Sequence, residues 1–70
     1  MKVYITFGQN HIHRVNGITL DKDSIAVIDA STHEEGRNIA FELFGTKFAT
    51  SYEDVEDILH YFPRGLIEIN

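Results

Sequence analysis

The residues best suited to chemistry are His11 and His13, which flank Ile12 near the N-terminus. Two histidines at i and i+2 of an extended segment project to the same side, so both imidazoles could reach one metal ion. Such a site needs a third ligand, and Asp21, Asp23 and His33 are the nearest candidates in sequence. The competing reading is a polar strand face opposite Ile12, and a bare His-x-His carries far less information than paired cysteines of zinc-site spacing.

Acid–base catalysis needs a histidine or carboxylate poised beside a reacting group. With eleven acidic residues and four histidines in 70 positions, such neighbours arise by chance. No Gly-x-Ser-x-Gly elbow, Walker loop or His-Glu-x-x-His is present, and no cofactor fingerprint. Ser24, Ser31 and Ser51 sit where strand edges and helix caps want a hydroxyl. The sequence therefore reads as a non-enzymatic protein, with a metal-binding module or small metal-dependent hydrolase on His11 and His13 as the alternative.

The densest charge is Glu53-Asp54-Val55-Glu56-Asp57. Carboxylates at a helix start complement the dipole, but four within five residues exceed what capping needs, and like charges within a turn repel. A basic partner would relieve them. Tyr52, Tyr61 and Phe62 lie beside this run, and an aromatic-plus-acid patch suits a protein interface. Glu53, Asp54, Glu56, Asp57, Tyr52 and Tyr61 are thus the candidate protein-binding residues. The formal charge of −5, from six basic and eleven acidic residues, argues against direct nucleic-acid binding, which draws on phosphate neutralisation by Lys and Arg. It favours a partner protein with a basic surface.

These residues must be positioned by short elements. Val3, Ile5 and Phe7 alternate with Tyr4 and Thr6, which predicts a strand over residues 2 to 7. Asn16-Gly17 between apolar runs predicts a hairpin within residues 11 to 20, because both centres of a type I′ turn need positive φ. The run Ile25-Ala26-Val27-Ile28 predicts a central strand buried on both faces. Ser31 with Glu34, or Thr32 with Glu35, fits a capping box opening a helix that Gly45 stops. Ile39, Ala40, Leu43 and Phe44 form its apolar stripe, with Phe41 to one side. Residues 47 to 52 read as a strand. Ser51 then caps a second, shorter helix to about Tyr61, with Asp54 closing its capping box and Val55, Ile58, Leu59 and Phe62 facing inward. Phe62-Pro63-Arg64-Gly65 is a turn before a last strand from Leu66 to Ile69.

The prediction is one α+β domain over residues 1–70. It has a small mixed or antiparallel sheet of four or five strands and two helices on one face, in the order β, ββ hairpin, β, α, β, α, β. The other face is left for water or a partner, and an open face or edge makes a homo-oligomer a third reading. Without cysteine, neither a disulfide nor a cysteine-ligated metal is available. No apolar run reaches the ~18 residues a membrane span needs. The alternating N-terminus reads as a strand rather than a signal peptide. The expectation is a cytoplasmic protein without a membrane partner.

Lys2-Val3-Tyr4-Ile5-Thr6-Phe7-Gly8 with His11-x-His13, Gly36-Arg37 before Ala40-Phe41-Glu42-Leu43-Phe44-Gly45, and Tyr61-Phe62-Pro63-Arg64-Gly65-Leu66-Ile67 are distributed along nearly the whole chain. In these segments the chain resembles short uncharacterised proteins of phages, prophages and their bacterial hosts. That resemblance implies a small, acidic accessory protein of the host-cell cytoplasm. Proteins of that class, anti-CRISPR and other anti-defence proteins among them, often bind a host protein stoichiometrically. Some place carboxylates where the host protein expects nucleic-acid phosphates.

Overall fold

The computed structural model describes residues 1–70. Along the chain run β1 (Lys2–Thr6), β2 (His13–Val15), β3 (Ile18–Leu20), β4 (Ser24–Asp29), α1 (His33–Phe44), β5 (Thr50–Tyr52), a 3-10 turn (Leu59–Tyr61) and β6 (Gly65–Glu68). The class is α+β, with one α-helix where the sequence predicts two. The strands form a four-stranded sheet in the order β5-β1-β4-β6 and a separate β2-β3 hairpin. β1 is antiparallel to both β4 and β5, whereas β4 and β6 are parallel, so the larger sheet is mixed.

β4 is central, as its run of β-branched residues predicts, and Ile25, Ala26, Val27 and Ile28 are all buried. Alternation assigns the two faces. Val3, Ile5 and Phe7 from β1 and its exit join Ala26 and Ile28 from β4 in one cluster with Leu20, Ala40 and Phe44. Tyr4 and Thr6, with Ile25 and Val27, occupy the opposite face. The hairpin turns at Asn16 (φ 53°) and Gly17 (φ 79°), the two positive angles a type I′ turn requires.

α1 starts at Thr32, whose Oγ1 accepts a hydrogen bond from the Glu35 amide at 3.0 Å. Glu35 Oε1 reaches back one residue further than in a standard capping box and accepts from the Ser31 amide at 3.2 Å. Gly45 ends the helix with φ 62°, and its N–H donates to the Phe41 carbonyl. The buried face is Gly36, Ala40 and Phe44, at intervals of four. Leu43, predicted to face inward, is 43 % exposed. The seam runs through Gly36 because the helix lies almost on β1: a Cβ there would sit 2.3 Å from Val3 Cγ2. Glycine, normally a poor helix residue, is here the one that lets helix and strand approach.

The predicted second helix over residues 51 to 61 does not form. β5 runs on past Ser51 to Tyr52, which pairs with Tyr4, so the residue that would open the helix after a Ser51 cap is extended. Asp54 Oδ1 accepts instead from the Glu56 amide at 3.0 Å, a local turn that competes with helix. Four carboxylates in one turn add repulsion, and Pro63 disfavours helical backbone at Phe62. What remains is a turn anchored on the Val55 carbonyl, which accepts from the Ile58 and Leu59 amides, and the 3-10 turn that follows.

The second sheet face is not left open. The segment between β5 and β6 lies across it, with Val55 buried and with Tyr61 and Phe62 sharing a cavity with Thr6, Thr50 and Tyr52. No helix is long and apolar enough to cross a membrane.

Candidate functional site

The two histidines are placed differently. His11 precedes β2, whereas His13 begins it. His13 Nε2 lies 2.6 Å from the Lys47 carbonyl oxygen. A carbonyl only accepts, so Nε2 carries the proton and is not a free lone pair for a metal. The ring packs on Phe44 (4.8 Å between centroids) and Phe7 (5.7 Å), tying the hairpin to the loop after α1. Of the proposed third ligands, Asp21 is engaged with Arg64, and His33 opens α1. Nowhere do three His, Asp or Glu side chains gather at metal-binding distances.

The structure brings Tyr52 and Tyr61 to one cavity, and the acidic run lies on the segment of chain between them, which is not an α-helix. Glu53, Asp54, Glu56 and Asp57 are all exposed. The ion pairs of the molecule are Met1–Asp29, Lys2–Glu68, Lys22–Asp23 and Arg64–Asp21, and none uses these four carboxylates. Tyr52 leaves β5 just before the run and Tyr61 closes the 3-10 turn after it. Both line one cavity of about 430 Å³. Tyr61 is 69 % exposed, an unusual display for a side chain of that area.

The remaining walls come from segments far apart in sequence. Thr6 and Gly8 supply the end of β1, and Ala49 and Thr50 the start of β5, joined by a bond from the Ala49 amide to the Thr6 carbonyl. Gln9 and Lys22 complete the wall. Lys22 sits on a turn braced from both sides. Ser24 Oγ accepts from the Asp21 amide at 2.9 Å and donates to its carbonyl, and Asp21 Oδ1 accepts from the Asp23 amide at 3.0 Å. Arg64, at the start of the return to β6, pairs with Asp21 Oδ2 at 3.3 Å and donates to the Thr19 carbonyl, while its own amide donates to Asp23. The bond from the Asp23 amide chiefly, and then the Arg64 charge, hold the Asp21 carboxyl below its usual value of 3.8, against an opposing effect of partial desolvation.

Sequence reasoning singles out the tyrosines and the carboxylates but misses Thr6, Gln9 and Lys22. The polar break Asp21-Lys22-Asp23 marks a turn, yet nothing local says that it faces Tyr52 and Tyr61 across the sheet end. Compared with known proteins, the chain matches no family model, no curated protein and no solved structure. What the arrangement offers chemically is recognition: exposed aromatic surface, hydrogen-bonding groups in a shallow cavity, and unneutralised carboxylates alongside.

Proposed function

We propose that this is a small acidic, non-enzymatic binding protein that docks the 53–57 segment, with Tyr52 and Tyr61, on a basic surface of another protein. In the phage setting that the sequence resembles, it acts in the host cytoplasm as an inhibitor or modulator of a nucleic-acid-handling complex, such as a defence complex. The observation that carries this reading is the pairing pattern. Every ion pair in the molecule leaves Glu53, Asp54, Glu56 and Asp57 aside, and they lie between two tyrosines that the fold brings to one cavity. Carboxylates without an ion-pair partner are free to steer a cationic partner, and exposed tyrosines provide anchoring area.

The test is capture of a partner from host lysate, followed by affinity measurement at low and high salt with wild type, Glu53→Lys/Asp57→Lys and Tyr61→Ala. Affinity should fall with salt, and the double charge reversal should weaken it by about tenfold or more at low salt through lost steering and new repulsion. Binding unaffected by both the reversal and salt would reject the acidic segment as the docking surface.

A further inference from the structure

The cavity between Tyr52 and Tyr61 has a chemistry opposite to that of the acidic segment beside it. Its only charged lining residue is a cation, Lys22; no carboxylate contributes to its wall. The aromatic side chains of Tyr52, Tyr61 and Phe62 supply flat apolar surface, and Gln9 and Thr6 supply polar groups. The volume of about 430 Å³ falls within the range of small-ligand sites, ~300–1,000 Å³. No hydrogen bond within the chain engages the side chains of Gln9, Tyr52 or Tyr61. Lys22 is held only by its sequence neighbour Asp23, at 3.3 and 3.4 Å in an exposed pair, the weakest class of ion pair. Its backbone, by contrast, is fixed by the Asp21–Ser24 turn and the Arg64 clamp, so a flexible ammonium with replaceable partners is carried at the cavity wall from a fixed anchor.

We propose that this cavity is a small-molecule site for a flat aromatic ring bearing one anionic group, with the ring against Tyr52 and Tyr61 and the anion at Lys22. Stacking on the tyrosines contributes area at low entropic cost, since their side chains have few rotatable bonds. Lys22 exchanges a loose contact with Asp23 for a charge-assisted bond to the ligand. A nucleoside monophosphate and an aromatic carboxylate share this chemistry. The inference shares Tyr52 and Tyr61 with the docking reading, but the two fail separately, because Lys22 lines the cavity and Glu53 and Asp57 do not.

The experiment is a ¹H–¹⁵N NMR titration of the full chain with adenosine 5′-monophosphate and, separately, indole-3-acetate. Adenosine, indole and ribose 5-phosphate serve as probes lacking one half of the pattern. At least one of the two complete probes should move the amides of Gly8, Gln9, Ala49 and Thr50 saturably, and which one does so distinguishes nucleotide from aromatic carboxylate. Lys22→Ala should weaken that binding about fivefold, the effect of one exposed charge pair. Lys22→Arg should retain it, and Tyr61→Ala should weaken it while the spectrum stays that of a folded chain. Three results overturn the proposal: no saturable shift at these amides with either complete probe, equal affinity for a ring-only or anion-only probe, or undiminished binding by Lys22→Ala.

Discussion

On one face of the four-stranded sheet, α1 lies so close to β1 that a Cβ at Gly36 would be 2.3 Å from Val3. On the other, a segment whose only regular structure is one 3-10 turn crosses the sheet and leaves a cavity of about 430 Å³. Both coverings exclude water from β4, since Ile25 and Val27 are as well buried as Ala26 and Ile28. They differ in what is left over. A helix with a small-residue seam presents one continuous ridge and packs without gaps. An irregular covering seals with a few contacts, such as Val55, and leaves aromatic and polar side chains free. Tight packing is concentrated on the first face and the side chains that the fold leaves free on the second, the usual division between a rigid scaffold and the loops it carries.

Phenylalanine truncations on the two faces should show the largest contrast. Phe44 is almost fully buried and meets Phe7 edge-on at 5.0 Å, with His13 and Phe48 around it. Phe44→Ala should cost about 3–5 kcal/mol, enough to unfold much of a domain this small. Phe62, half-buried beside the cavity, should cost less than half as much in urea denaturation, because its site is already partly open. Equal losses would mean that the second face is packed as tightly as the first.

Gly36→Ala comes next. The added methyl overlaps Val3 and must lift α1 or displace β1, a cost of about 1–3 kcal/mol that exceeds the helix-propensity gain of ~1 kcal/mol. A drop in melting temperature relieved by a compensating Val3→Ala would locate the strain at this contact. Thr32→Ala should follow, at about 1 kcal/mol for the lost cap. Asp54→Ala, which removes the local bond to the Glu56 amide, should change stability by no more than ~0.5 kcal/mol, the range of an exposed site.

The same contrast explains how far the sequence can be read. β1, the hairpin, β4 and α1 follow from signals complete within a few residues: alternation, Asn16-Gly17, a β-branched run, and Thr32 with Glu35. The second helix fails because its signals are equally local but lose to other claims on the same residues. Tyr52 is needed by the β1–β5 ladder, Asp54 by its own turn, and the backbone at Phe62 is restricted by Pro63. The role of Gly36 carries no local signal at all, since a residue that weakens a helix by propensity becomes a packing requirement only once β1 lies beneath it. The tyrosines and carboxylates of the candidate site are visible as a cluster along the chain. Lys22, Gln9 and Thr6 are not, because only the β5-β1-β4 strand order brings them to the same place.

The smallest effect tests how the second face is tied down. Asp21 is bonded by the Asp23 amide and paired with Arg64, so its carboxyl ionises at lower pH in the folded chain than in the unfolded one. A depressed folded-state value means that the unfolded chain takes up the proton first as pH falls. The stabilisation is therefore complete well above the ordinary value of 3.8 and is lost as pH falls through the lower, folded value. Asp21 bridges the Lys22 turn to Arg64, where the covering segment re-enters the sheet. Protonation should thus loosen the covering segment and leave the α1 face intact. In amide exchange below pH 4, protection should fall first around residues 61–65 while Ala40 and Ile28 remain protected, and Asp21→Asn should flatten this pH response. A uniform loss across both faces would show that the two coverings unfold as one unit and that the clamp has no local role.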